Sequence, residues 1–125
     1  MAVLGGKIYV AGGYDGGILG SVERYDPVQR RWEELAALPA ARVFHGAAGS
    51  GDFIYVFGGM DQATEATTST MFRYDVIGDV WEELASMPAG RTYCAAVPGT
   101  SRIYVIGGYV DHDPQASVLR YDPGA

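Results

Sequence analysis

The sequence predicts an all-β chain built from a repeated four-stranded unit, and three recurring markers carry the prediction. An apolar segment that ends in a glycine pair, Ile8 to Gly13, returns twice, at offsets of 46 and 49 residues. An Arg-Tyr-Asp triplet follows each copy, and a Trp-Glu-Glu-Leu segment follows the first two triplets. The markers keep one order, so the repeat is a structural unit. The glycine pairs are Gly12-Gly13, Gly58-Gly59 and Gly107-Gly108, the triplet tyrosines are Tyr25, Tyr74 and Tyr121, and the tryptophans are Trp32 and Trp81.

The elements of the unit follow from local composition. Lys7 to Ala11, Val22 to Asp26 and Arg31 to Leu35 are short, rich in Val, Ile, Tyr and Trp, and bounded by Gly, Pro and Asp. These features are typical of strands. A fourth strand is predicted over Val43 to Ala48, with its counterpart over Thr92 to Val97. No long segment shows apolar residues at helical spacing.

Sheets of this size must stack, because one four-stranded sheet cannot bury both of its apolar faces. The segment Ile54 to Phe57 is apolar on both faces of its alternation, as a sheet between two others requires. Radial stacking gives a β-propeller. In that fold the glycine pair lets a strand leave its sheet sharply beside other backbones, and Trp32 and Trp81 are expected to fill the space between sheets.

Repeats of about 50 residues with a glycine doublet, a later tyrosine and a tryptophan resemble the kelch motif, whose tandem copies build β-propellers. The resemblance covers almost the whole chain and implies three blades. They are residues 1–42, lacking most of the first strand; 43–90, complete; and 91–125, lacking the last strand. The kelch family usually closes its ring with more blades, so an incomplete ring is expected here. Two explanations stay open: a fragment of a longer protein, or self-association that completes the ring.

The repeats differ in length at one place only. From Tyr25 to Gly58, and again from Tyr74 to Gly107, the spacing is 33 residues, whereas the spacing from glycine pair to tyrosine is 13, 16 or 14. The insertions therefore lie in the loop after each glycine pair. Repeat proteins gather such loops on one face, which commonly binds ligands. The loops are Tyr14 to Gly20, Met60 to Ser69 and Tyr109 to Ala116.

In related kelch propellers this loop, and the residue after the repeat arginine, help to build the ligand-binding surface. The loops hold five carboxylates and one histidine, which favours a ligand with basic groups. The competing interpretation is structural: the loop tyrosines pack at the loop base, Asp15-Gly16 is a turn, and the carboxylates are solvated. The resemblance implies a ligand-binding face formed by Tyr14, Asp15, Arg42, Val43, Met60, Asp61, Arg91, Thr92, Tyr109 and Val110.

Charge and composition exclude several classes of partner. Nine basic and fifteen acidic side chains give a formal charge of −6, with no basic run to neutralise phosphates or anionic lipids. Nucleic acid and membrane partners are therefore not expected. No apolar stretch approaches a membrane span, and the start of the chain lacks the pattern of a secretory signal. Cys94 is the single cysteine, which leans toward a reducing, cytoplasmic compartment.

The sequence gives little indication of a catalytic or metal-binding site. Asp111-His112-Asp113 lacks the further His or Cys of a closed zinc site, so no metal or other cofactor is expected. His45 and Cys94 occupy the same slot of successive repeats, which favours packing over a nucleophile-base pair. No catalytic residue is assigned.

The sequence therefore predicts a binding module with a protein or peptide partner. The resemblance implies contexts such as substrate recognition for a ubiquitin ligase. The alternative is a fragment of a kelch-propeller enzyme, similar to a sialic-acid mutarotase or a galactose oxidase. In a mutarotase, exposed Arg42 and Arg91 could hold a carboxylate, although in the kelch pattern that arginine is more often a structural repeat residue.

Overall fold

A computed structural model describes residues 1–123, and their regular structure consists of β-strands alone. All strand pairs are antiparallel, and the strands form three main sheets that follow one another along the chain. The predicted all-β propeller architecture is confirmed, as an open set of blades. The last two residues of the predicted third blade, 124 and 125, lie outside the described residues.

The first sheet is a meander with its strands in chain order. The second and third strands run further than predicted, because their hairpin continues through the glycine pair with a register shift between Ala11 and Gly13. The sheet comprises β1 (Ala2–Leu4), β2 (Lys7–Tyr14), β3 (Ile18–Asp26) and β4 (Arg31–Leu35).

The second sheet has four strands and the third has three, and each has a short two-stranded ladder or bridge beside it. In order across the sheet, the second sheet consists of β6 (Gly46–Ser50), β7 (Phe53–Phe57), β9 (Met71–Asp75) and β10 (Val80–Leu84), and the third of β11 (Ala95–Pro98), β12 (Ile103–Ile106) and β15 (Val118–Tyr121). One short ladder pairs β5 (Arg42–Val43) with β8 (Met60–Asp61), and the other pairs β13 (Tyr109–Val110) with β14 (Asp113–Pro114).

The predicted fourth strand of the unit is wrong in both of its copies. The run from Val43 to Ala48 is not continuous, because Phe44 has a φ of 61° and separates β5 from β6. Its counterpart in the third repeat is interrupted in the same way at Tyr93, where φ is 55°. The left-handed conformation ends a strand, because its residues no longer alternate across the sheet.

The apolar core lies between neighbouring sheets. On β7, Ile54 and Val56 pack toward the first sheet, whereas Tyr55 and Phe57 pack toward the third. All four side chains are at most 2% exposed. Full burial of such side chains stabilises a fold by about 1.5–3 kcal/mol each, so this two-sided strand is a main link between the blades.

The two repeat tryptophans have different surroundings. Trp81 packs between the first and second sheets, as predicted, with its indole nitrogen bonded to the backbone oxygen of Ala36. Trp32 is 58% exposed, so the expectation that it fills an inter-sheet space is wrong for this chain. Each ring lies against its repeat tyrosine with the same centroid distance of 5.1 Å, to Tyr25 or to Tyr74. The difference therefore lies in the neighbouring sheet, which Trp32 lacks among residues 1–123.

Candidate ligand-binding site

The glycine pairs lie where other backbone segments pass too close for a side chain. A Cβ atom on Gly58 would lie 2.6 Å from the carbonyl oxygen of Arg91, in the segment that leads into the third sheet. A Cβ atom on Gly59 would lie 2.5 Å from the carbonyl oxygen of Val43, in the segment that leads into its own sheet. Both glycines have positive φ angles, 60° and 89°. The pair therefore holds three segments together at the end of the strand.

The same contacts recur in the other repeats. Gly12 approaches the carbonyl oxygen of Arg42 at 2.6 Å, and Gly108 approaches that of Thr92 at 2.5 Å, both measured from a Cβ placed on the glycine. Among residues 1–123, Gly13 and Gly107 have no approach of this closeness. The glycine contacts are thus a property of the blade junction.

The two repeat arginines are buried, so the expectation that they are exposed is wrong. Arg42 has 0% of its surface exposed and Arg91 has 3%. The Nη1 atom of Arg42 donates a 2.9 Å hydrogen bond to the carbonyl oxygen of Gly58, and that of Arg91 donates one of 3.0 Å to Gly107. The guanidinium group of Arg42 also lies over the ring of Phe72, 4.7 Å from its centroid. These arginines therefore bind the backbone of the glycine pairs from the interior of the protein, and their charge is not exposed to solvent.

Two aromatic side chains follow the buried arginines and point outward. Phe44 and Tyr93 are 37% and 61% exposed, and their rings stack with centroids 4.3 Å apart. The backbone nitrogen of Tyr93 donates a 2.8 Å hydrogen bond to the carbonyl oxygen of Phe44. A bulky residue in the left-handed region is uncommon and costs about 1–2 kcal/mol, so strain here marks a candidate site.

A cavity of about 500 Å³ opens beside this aromatic pair, between the loops of the second and third blades. We call it the loop cavity. Its aromatic and apolar lining consists of Phe44, Met60, Ala66, Tyr93 and Tyr109. Its polar lining consists of Glu65, Thr67, Thr92, Asp111 and His112.

Short backbone ladders hold the loops around the cavity. Val43 pairs with Met60, and Thr92 pairs with Tyr109 through two backbone hydrogen bonds of 2.9 and 2.8 Å. The Asp61 carboxylate accepts hydrogen bonds from the backbone nitrogens of the two residues beyond Gln62, an arrangement that closes the turn in the Met60 loop. Backbone pairing and turn hydrogen bonds therefore hold the cavity walls in place.

The structure brings together only part of the face implied by the resemblance. Met60, Thr92 and Tyr109 line the loop cavity. Val43 is buried below it, and Asp61 and Val110 are half-buried in the two loops. Tyr14 and Asp15 are exposed at the tip of the β2–β3 hairpin and do not line the cavity.

Phe44 and Tyr93, which form the aromatic wall of the cavity, were not predicted from the sequence. Phe44 and Tyr93 each stand two residues after a repeat arginine, and that recurring aromatic position was the available signal. The residue directly after the arginine is buried, since Val43 and Thr92 are 6% and 5% exposed, and of these two only Thr92 reaches the cavity lining.

His45 and Cys94 lie next to the cavity wall but face the interior. Burial lowers the pKa of His45 to about 4 and raises the pKa of the Cys94 thiol. Cys94 packs at the edge of the core between the second and third sheets. Both groups are thus held in their neutral forms, as packing residues require. Within residues 1–123, no three His, Cys, Asp or Glu side chains gather in a way that could hold a metal ion.

Successive antiparallel sheets joined face to face, with their loops gathered beside a shared cavity, define this chain as a repeat-blade β-propeller protein. The family model for the KLHDC2/KLHL20/DRC7 Kelch-repeats domain matches residues 1–124, so the chain belongs to this kelch family. The predicted kelch resemblance is therefore confirmed. The described residues contain no helix with the length and apolarity needed to cross a membrane.

Curated relatives match parts of the chain. Kelch-like protein 21 of Bos taurus is 49% identical over 49 residues, which are 38% of this chain and 8% of that protein. Kelch-like protein 6 of Homo sapiens is 41% identical over 68 residues, which are 54% of this chain and 11% of that protein. Kelch-like protein 35 of Mus musculus is 41% identical over 63 residues, 50% of this chain and 11% of that protein. The matches span 8–11% of the length of these relatives.

Proposed function

We propose that this chain is a protein-interaction module that binds a peptide segment of its partner at the loop cavity. The observation that carries the proposal is the Phe44–Tyr93 stack, which presents exposed aromatic surface on a strained backbone next to a preformed cavity. Exposed aromatic residues in a fixed setting are the usual anchors of a protein interface. Binding, and not catalysis, is the proposed activity.

The size of the cavity supports a peptide ligand. A volume of about 500 Å³ accommodates a few side chains and lies within the range of small ligand pockets. Its aromatic wall would supply contact area, and its hydroxyl and carboxylate groups would orient the bound segment.

A peptide library displayed on phage tests the proposal. Peptides selected on the 125-residue chain should lose binding to Tyr93→Ser and keep it with Ile77→Ser, which removes an exposed apolar side chain from the β9–β10 turn. Selected peptides that bind Tyr93→Ser and Phe44→Ser as well as the unchanged chain would overturn it.

Two narrower proposals follow from the family resemblance and from composition. Recruitment of substrates to a ubiquitin ligase is one form of this binding function. A cytoplasmic location is the other, supported by the single free thiol of Cys94. Expression of a tagged full-length parent protein, followed by fractionation and by capture of a cullin, would test both.

We also propose that the outward face of the first sheet is completed by a further sheet of the same kind, from more chain or from a second copy. The support is the 58% exposure of Trp32, whose counterpart Trp81 is packed on a neighbouring sheet. Light scattering of the purified chain tests self-association. A monomer at all concentrations, unchanged by Trp32→Ser, would remove the second copy from consideration.

A further inference from the structure

We infer that the loop cavity receives one basic side chain, arginine or lysine, from the bound peptide. The inference rests on the proposed binding function and deepens it by naming the chemistry of the anchor residue. Three aromatic rings and two carboxylates of the cavity lining carry it.

The aromatic rings form a corner. Phe44 and Tyr93 are stacked with an interplanar angle of 22°, and Tyr109 meets Tyr93 edge-on at 82°, with centroids 6.2 Å apart. Tyr93 and Tyr109 are 61% and 43% exposed, so ring surface remains free for a ligand. Aromatic faces attract guanidinium and ammonium groups, and the attraction strengthens when water is excluded.

Two carboxylates share the cavity lining with these rings. Glu65 and Asp111 both line the cavity, on the two different loops, and both are exposed. Within residues 1–123, neither takes part in an ion pair with Lys or Arg, whereas Glu33 and Glu82 each pair with an arginine. Glu65 and Asp111 have φ angles of 53° and 56°, so their backbone has the same left-handed conformation as that of Phe44 and Tyr93.

The remaining charges agree with a cationic ligand. Arg42 and Arg91 direct hydrogen bonds to glycine carbonyls and do not line the cavity, and its lining among residues 1–123 includes no lysine or arginine. The formal charge of −6 also favours the approach of basic peptides. A neutral apolar side chain would contact the rings but gain nothing from the carboxylates, and an acidic one would be repelled.

Blocked tripeptides test the inference by NMR on the full 125-residue chain. The probes are acetyl-Gly-X-Gly-amide with X as arginine, lysine, citrulline or leucine. Arginine and lysine should shift the Thr67, Tyr93 and Tyr109 signals saturably, and arginine should bind about tenfold more tightly than citrulline, which has the same shape without the charge. The unperturbed signals of Ile54 and Tyr74 report that each variant is folded.

Charge-matched variants separate a local effect from a general one. The double variant Glu65→Gln with Asp111→Asn should abolish the preference for arginine over citrulline. The control double variant Glu34→Gln with Asp52→Asn makes the same change in net charge away from the cavity and should keep it.

Three results would overturn the inference. They are equal binding of arginine and citrulline, an equal loss of preference in the control double variant, and no shift of cavity signals with any tripeptide. Preferential binding of the leucine probe in the cavity would also overturn it, while leaving the proposed peptide-binding function intact. Library-selected peptides that bind Tyr93→Ser and Phe44→Ser as well as the unchanged chain would by contrast count against the proposed function itself.

Discussion

The indole nitrogen of Trp81 donates a 2.8 Å hydrogen bond to the backbone oxygen of Ala36, in the neighbouring sheet. The backbone nitrogen of Ala36 in turn donates a 3.0 Å bond to the Asp79 carboxylate, which also accepts the hydroxyl proton of Tyr74. Both partners lower the pKa of Asp79, the tyrosine hydroxyl more strongly. A small polar network at the exposed edge of an apolar contact therefore joins the first and second blades.

The two tryptophans provide a matched pair for this junction. Trp81→Ala should lower the free energy of unfolding by about 3–5 kcal/mol, because it removes buried surface and leaves the Ala36 oxygen without its donor. Trp32→Ala, at the same repeat position, should cost less than about 1 kcal/mol, because most of its ring is already in water. Urea denaturation followed by far-ultraviolet circular dichroism measures both. Equal losses would contradict the assignment of Trp81 as the packed tryptophan.

The glycine pair makes a prediction about close approach. Gly59→Ala should destabilise the fold by roughly 3 kcal/mol, because the new methyl group would meet the Val43 oxygen at 2.5 Å in addition to the strain of a positive φ. Gly51 also has a positive φ, of 62°, but a Cβ atom placed on it would have no other atom within 4 Å. Gly51→Ala should therefore cost only about 1 kcal/mol. Thermal unfolding of the two variants separates contact from conformation. Similar melting temperatures would show that the positive φ, and not the close contact, accounts for the whole cost of replacing Gly59.

Burial of His45 predicts a loss of stability in mild acid. Its pKa is about 4 in the folded chain against 6.5 when unfolded, so the unfolded chain binds the proton more readily. The contribution of neutral, buried His45 to the free energy of unfolding is fully present above pH 6.5. It falls as the pH drops toward 4, by about 2 kcal/mol at pH 5. His45→Cys, which places the third repeat's residue in the second repeat, should reduce this difference between about pH 7.5 and pH 5. An unchanged pH dependence in His45→Cys would refute the prediction.

The left-handed aromatic residues predict a separation of stability from binding. Tyr93→Gly should be more stable than Tyr93→Ala by about 1 kcal/mol, because glycine accepts a φ of 55° without strain. Both variants should lose peptide binding, because both lack the ring that stacks on Phe44. Denaturation midpoints and peptide titration, run on the same samples, measure the two effects. A glycine variant no more stable than the alanine variant would remove the argument from backbone strain.

The repeated local pattern was enough to predict most of the fold. Strand positions, the order of the repeats and the loops of variable length depend on alternation and on punctuation by glycine and proline within a few residues. The two-sided apolar character of Ile54 to Phe57 likewise predicted that its sheet lies between two others, as the structure shows.

The candidate site depended on contacts that local patterns do not encode. The sequence by itself determined the blades, their order and the loops that vary. The tertiary structure decided that Arg42 and Arg91 are buried, that Phe44 and Tyr93 face outward, and that Trp32 is exposed while Trp81 is covered. The physical reason is that a side chain's environment in a propeller is set by the next blade, whose residues lie about one repeat away in the chain, so identical motifs acquire different surroundings.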